Sequence, residues 1–383
     1  MFFYNFKVYS DRINNRKSIS LTTQDNGKPF PAEALGIIKS QVMIEIREQD
    51  ITELRSLIPE TELCFPCKQG YQKIQLEAIN ELLSTKDFRI VLYCDFSDFC
   101  KNEKLIYNLD IITYLPNIKQ LLVVNYEQPY QVIKSLDFLA NTKLLTHFSI
   151  LGYFAKTISL EAVSNLPNLR FLRLGDSVGL NKRQTDIINT LPKLEVLSVK
   201  ELDASLLKYN ANIRMLEIHS KLINGKVLPD KFPNIEYLYL KRQNKCSDFS
   251  YISRFIYLKA LILHWIYDIQ ALPNLTILKD LEALDLYGCP NLQYGIEQIF
   301  ELNNLVCFRA TELQRLTTES FERLLQLPKI QSVHIHFRKN NVENEKMDRM
   351  LQKCNLNKGF NYRYLQEKIT PKRSSFSNHY QSK

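Results

Sequence analysis

The 383-residue sequence predicts an α/β solenoid of stacked strand, loop, helix, loop units. Three observations predict it. A six-residue stretch with apolar side chains at its first, fourth and sixth positions recurs about ten times, the recurrences are nearly evenly spaced, and Leu-Pro or Phe-Pro pairs precede several of them. A unit of this size cannot bury its own apolar face, whereas stacked units share one continuous core.

Residues 1–85 come first and differ from the rest. FFYNFKVY, SISLTT and VMIEI alternate apolar and polar residues, and Asn26-Gly27 is a turn signal, so a small β-containing cap region is expected. The opening MFFYNFKVYS reads as a strand and not as a signal peptide, because it lacks a basic start followed by an apolar run. No run approaches 18 apolar residues, so no membrane span is expected. YQKIQLEAINELL (71–83) has helical spacing, and FRIVLYC (88–94) reads as a first strand. Capping is the expected role of this region, since a solenoid must cover the apolar face of its terminal unit.

The repeats occupy residues 86–337. Copies start at Ile118 (IKQLLV), Leu145 (LTHFSI), Leu169 (LRFLRL), Leu194 (LEVLSV), Ile213 (IRMLEI), Ile235 (IEYLYL), Leu258 (LKALIL), Leu281 (LEALDL), Leu305 (LVCFRA) and Ile330 (IQSVHI). Their intervals run from 19 to 27 residues and average about 24. Leu115-Pro116, Leu166-Pro167, Leu191-Pro192, Phe232-Pro233 and Leu327-Pro328 precede strands, where proline ends a helix and feeds an extended segment. Helices are expected in SLEAVSN (159–165), KRQTDIINT (182–190) and TTESFERLLQL (317–327). A capping helix in residues 338–358, centred on ENEKMDRMLQKC, and a basic, partly disordered tail in 359–383 complete the chain.

With its strand motif in about ten to eleven copies, the sequence resembles the leucine-rich-repeat family across roughly residues 85 to 337. The resemblance implies a curved horseshoe, with a parallel β-sheet on the concave side and helices or irregular segments on the convex side. In the family, the third residue after position 6 is often Asn or Cys, tying the loop backbone together. Here Cys289 fits and Gln243 is a substitute, while Tyr126, Tyr153, Ser177, Leu202, Ile266, Leu313 and Arg338 depart from it, so irregular loops are expected.

Side chains alternate across a strand, so if positions 4 and 6 point into the core, positions 3, 5 and 7 project from the concave sheet. Five of the six histidines, all but His379, fall in these columns. The candidate partner-binding residues are Phe171, Arg173, Lys200, Glu217, His219, Tyr237, Tyr239, Lys241, His264, Asp285, Tyr287, Arg309, His334 and His336. Aromatic residues and arginine are enriched at the strongest points of protein interfaces. Glu217 and Asp285 keep the surface mixed in sign, which favours a protein partner over a phosphate backbone. Leu122, Val124 and Leu151, in the same columns, are expected under the N-terminal region.

The formal charge is +9, but residues 338–383 hold 11 Lys and Arg against 4 Asp and Glu, so +7 belongs to the C-terminal end. Nucleic-acid association would therefore run through the tail, with Lys358, Arg363, Lys368, Lys372 and Arg373 as contacts. Eight scattered cysteines read as reduced thiols of a cytoplasmic protein. Cys64 and Cys67 have the spacing of half a zinc site or a redox pair, with Cys94 and Cys100 as completing ligands, but their loop context favours ordinary thiols. His334 with His336 would make a metal half-site, and Cys307 beside His334 a nucleophile pair; neither has completing groups in its neighbours. There is no phosphate loop and no G-x-S-x-G. The expectation is a non-enzymatic, cofactor-free interaction scaffold, acting as inhibitor or recruiter. Its alternatives are an adaptor with a separate activity in residues 1–85, or nucleic-acid association through the tail.

Overall fold

A computed structural model describes residues 43–45 (backbone only), 62–65, 69–94, 102–125, 132–243, 248–361 and 364. The expected strands in FFYNFKVY and SISLTT, the Asn26-Gly27 turn, Cys67, Cys100, Arg363, Lys368, Lys372 and Arg373 lie outside the described residues.

The strands are β1 (Met43–Glu45), β2 (Glu62–Phe65), β3 (Arg89–Tyr93), β4 (Gln120–Asn125), β5 (Ile133–Ser135), β6 (His147–Gly152), β7 (Phe154–Ser159), β8 (Phe171–Arg173), β9 (Val196–Asp203), β10 (Met215–Ile223), β11 (Tyr237–Lys241), β12 (Ala260–His264), β13 (Ala283–Tyr287), β14 (Cys307–Leu313), β15 (Ser332–Phe337) and β16 (Asn357–Lys358). All but β5 and β7 join one 14-stranded sheet in sequence order, paired parallel throughout. Each strand of the ten aligned repeats begins at position 3, and Gln120, His147, Phe171, Val196, Met215, Tyr237, Ala260, Ala283, Cys307 and Ser332 lie side by side. The leucine pattern fixes this register, because a slip of one residue would turn every core side chain to the other face.

The sheet does not stop at residue 86. Arg89, Glu62 and Met43 continue the position-3 row into the segment expected to be a separate cap, so β1 and β2 are further rungs of the same ladder. At the other end the helix Asn341–Lys353 closes the stack with Met347 and Leu351 buried, and β16 adds a last short rung beside β15.

Positions 4 and 6 form the core. Leu121, Phe148, Leu172, Leu197, Leu216, Leu238, Leu261, Leu284, Phe308 and Val333 at position 4 are fully buried. Each such side chain contributes about 1.5–3 kcal/mol. Before most strands the chain makes one tight turn, in which the position-1 N–H donates to the carbonyl three residues back, as from Leu169 to Leu166, Leu258 to Phe255 and Leu281 to Leu278.

The convex side departs from expectation. KRQTDIINT does form an α-helix, Lys182–Ile188, started by Asn181, whose side chain accepts the Gln184 N–H. The other two expected helices, Glu161–Asn165 and Thr318–Gln326, are 3-10. In the second, Thr318, Phe321, Leu324 and Leu327 are buried in steps of three, the period of a 3-10 helix. In the first two aligned repeats β5 and β7 add a small parallel pair ahead of the 3-10 turns.

Position 8 takes left-handed backbone at Gly152, Arg242, Trp265, Gly288 and Glu312. At Gly288 only glycine fits: φ is +74°, and an added Cβ would lie 2.6 Å from the Trp265 ring. Just beyond, Cys289 points its thiol at the Leu263 carbonyl 3.6 Å away. Gln243 does the same work with an amide, accepting the Leu222 N–H at 2.7 Å and donating to Lys241 O at 2.9 Å. Ser177, expected to break the pattern, also keeps it, because its hydroxyl donates to Gly152 O at 2.8 Å.

Candidate partner-binding surface

The common register carries the candidate residues onto the concave face in columns 3, 5 and 7. At the N-terminal end this face is apolar. Cys64, Val91, Leu122, Val124 and Leu151 pack side by side with Tyr93, so the three residues expected to be covered rest against β2 and β3.

Farther along, Phe171 stacks on His147 with ring centroids 3.8 Å apart, and Phe171, Val196 and Met215 form a second apolar patch with Tyr237. Arg173 is 4% exposed; its Nη2 lies 3.8 Å from Glu217 and 3.5 Å from the Met215 sulfur. Arg173 Nε, and Ser149 Oγ beside it in the ladder, have no hydrogen-bond partner among the described residues.

A first polar network centres on His219. Its Nδ1 lies 3.0 Å from Asp176, its Nε2 3.0 Å from the Ser198 hydroxyl, and Lys241 reaches Asp176 at 3.2 Å. Burial works against ionisation of Asp176, but the hydrogen bonds and charges of His219 and Lys241 outweigh it and hold the carboxyl well below its usual range. Asp176 was not among the predicted residues, since it sits at position 8, one past the last column. Lys200, at position 7 of the neighbouring strand, is half-buried.

The second network centres on Asp285, which is completely buried. Arg309 donates to both its oxygens, from Nε at 2.7 Å and Nη2 at 2.6 Å, and His264 Nε2 lies 2.9 Å from Oδ2. Burial again opposes the charge, and His264 and Arg309 overcome it, keeping the carboxyl ionised below the usual range. Asp285 therefore offers a partner none of its own oxygens; it fixes the direction of the Arg309 fork. His334, paired across the ladder with Arg309, is pushed down, mainly by burial and then by that guanidinium. His336 is exposed, 3.8 Å from Glu312.

Between and beyond these networks runs a row of rings. His219, Tyr239, His264 and Tyr287 follow one another with centroid separations of 5.2, 5.0 and 5.4 Å. The Arg309 guanidinium then lies over Tyr287 at 4.6 Å, and Trp265 meets Tyr287 edge-on. Edge-to-face rings and a stacked guanidinium make a stiff surface with little side-chain entropy left to lose on binding.

Of the four cysteines considered together as metal or redox groups, Cys67 and Cys100 lie outside the described residues. Cys64 joins the concave apolar patch and Cys94 the main core, on opposite faces of the sheet. Burial pushes the Cys307 thiol up, and its ladder neighbour is Ser332, not His334. Among the described residues no group of three or more His, Cys, Asp or Glu is placed to hold a metal ion, and no helix is long and apolar enough to cross a membrane.

No family model matches the sequence, and no curated protein matches it. Among solved structures, an internalin (InlF) from Listeria monocytogenes is 15% identical, covering 77% of this chain and 92% of that one at a TM-score of 0.43. The functional domain of InlJ from the same organism is 15% identical, covering 72% and 58% at 0.42. A leucine-rich-repeat protein of Leptospira interrogans is 14% identical, covering 80% and 91% at 0.39. On the chain's own geometry, a parallel ladder with one leucine register repeating every 24 residues or so, the fold is a leucine-rich-repeat solenoid.

Proposed function

We propose that this chain is a non-enzymatic interaction scaffold that binds a protein partner on its concave face, as an inhibitor or recruiter. The observation that carries the reading is the ring row His219, Tyr239, His264, Tyr287 ending on Arg309. Aromatic residues and an oriented arginine bring contact area and directional hydrogen bonds to one place. Charge supports a protein over a nucleic acid: Asp285 answers Arg309, Asp176 answers Lys241 and Glu217 answers Arg173, so the face carries no basic stripe.

The other readings draw less support. Continuity of β1 and β2 with the solenoid sheet favours capping for that segment over a separate activity. Lys358, one of the tail cations, is engaged with Asp348 at 2.7 Å. The free thiols of Cys289, Cys307 and Cys354 support a reducing, cytoplasmic setting.

The test is affinity capture with the whole chain and with a Tyr237→Ala, Tyr239→Ala, Arg309→Ala variant whose circular dichroism matches it. Partners retained by the intact chain should be lost from the variant. Recovery of the same partners in the same amounts sinks the reading.

A further inference from the structure

The concave face already holds one occupant, the chain's own C-terminal segment. After β16 the backbone turns at Gly359, whose φ of +141° is open to glycine, and Phe360, Asn361 and Tyr364 lie over the sheet. Phe360 and Tyr364 pack on Ala260, Ile262, Ala283, Val306 and Cys307, beside Tyr237 and Tyr239. The Phe360 ring lies 5.3 Å from the Arg309 guanidinium, which is thereby held between Phe360 and Tyr287. The Tyr364 hydroxyl donates to Glu282, and the Asn361 carbonyl lies 4.0 Å from the Cys307 sulfur. The Asn361 side chain accepts the Tyr364 N–H at 3.0 Å, which ties Tyr364 to the residue that follows Phe360.

These contacts describe a receptor and its ligand within one chain. The receptor is a shallow apolar floor of small residues, with a stacking guanidinium at one side and a carboxylate at the other. The ligand is an aromatic ring followed four residues later by a tyrosine. The small side chains of Ala260, Ala283 and Cys307 leave room for two rings, and each ring has a directional anchor, one cation–π and one hydrogen bond.

We propose that the floor formed by Ala260, Ile262, Ala283 and Cys307, flanked by Arg309 and Glu282, is a docking site for a peptide with an aromatic residue at one position and tyrosine four residues on. Phe360 and Tyr364 occupy it as an internal competitor. The proposal rests on the concave-face reading and gives its partner a recognition chemistry. A partner must either carry this pair and displace the segment, or bind elsewhere on the face. Displacement uncovers Cys307 while leaving Cys289 in the core.

The test uses the full chain and a Phe360→Ala, Tyr364→Ala variant of it. The probe is a fluorescent synthetic peptide of residues 357–368, followed by anisotropy. The variant should bind the peptide saturably and about tenfold more tightly than the wild type, whose site is filled by the tethered copy. Adding Arg309→Ala to the variant should abolish binding, as should replacing both rings of the peptide by alanine. Tyr364→Phe alone, keeping the ring and losing the bond to Glu282, should fall between wild type and double variant. Site-resolved alkylation gives the second measurement: Cys307 should react about tenfold faster in the double variant while Cys289 stays unreacted, which also shows the core intact. Equal peptide binding to wild type and variant, undiminished binding of the ring-less peptide, or equal Cys307 rates overturns the proposal. Peptide binding as expected, together with unchanged captured partners in the Tyr237, Tyr239, Arg309 variant, upholds this site and refutes the concave partner reading instead.

Discussion

Replacing Asp285 by alanine tests the account of the concave face at its most buried point. The carboxylate is fully buried and receives two hydrogen bonds from Arg309 and one from His264. Its removal strands an arginine whose side chain is only 12% exposed. Breaking a buried pair by deleting one member costs about 3–5 kcal/mol, because the remaining charge is left uncompensated. With a urea dependence of about 3 kcal/mol per molar, the unfolding midpoint should fall by about 1–1.7 M. The double change Asp285→Leu, Arg309→Leu removes both charges and should recover most of that loss. The pH dependence follows from the depressed folded pKa of Asp285. Its contribution is present above the unfolded carboxylate pKa of about 3.9 and is lost as pH falls through the lower folded value. The gap between wild type and Asp285→Ala should therefore be full at pH 7 and close as the solution is acidified below about 4. A midpoint shift under about 0.3 M at pH 7, or a double variant no more stable than the single one, refutes the reasoning.

Gln243→Ala removes the acceptor of the Leu222 N–H and the donor to Lys241 O inside a buried loop, and should cost about 1–3 kcal/mol by urea unfolding. Burial pushes the Cys289 thiol up to about 12, so iodoacetamide at pH 8 should label exposed Cys354 and leave Cys289 unmodified, as read by peptide mass mapping. Lys346 and Thr318 hold the Glu343 carboxyl down at about 2. The tie it makes is thus present above the unfolded value of about 4.3 and lost as pH falls through the folded one. Hydrogen-exchange protection in Asn341–Lys353, taken relative to the intrinsic rate at each pH, should fall on acidification through that window more than elsewhere, and Glu343→Gln should remove the difference.

The repeat register was legible because positions 4 and 6 have no freedom: a polar residue at Leu284 or Leu286 would be buried without a partner. The charge pairs were half legible. Asp285 and Arg309 stand one repeat apart in the same column, which places them side by side, yet taken singly each reads as a contact for something external. Asp176 escaped because the turn after the short strand β8 brings position 8 back over the face, and nothing in the local sequence marks that. The 3-10 segments were missed because, over a few residues, periods of 3.0 and 3.6 fit nearly the same apolar positions. Thr318, Phe321, Leu324 and Leu327 carried the distinction. Phe360 and Tyr364 were absorbed into a tail judged by its average charge, although aromatic rings are unusual cargo for a solvated segment.

Successive strands of the sheet lie about 4.8 Å apart, and an α-helix advances about 6 Å over four residues. A helix laid crosswise on the ladder therefore meets a fresh strand about once per turn. Phe360 and Tyr364 step across one such spacing, from Arg309 on β14 to Glu282 at the foot of β13. The sheet thus acts as a graduated scale, on which a segment laid across the strands is measured by its spacing as well as by the chemistry of the floor.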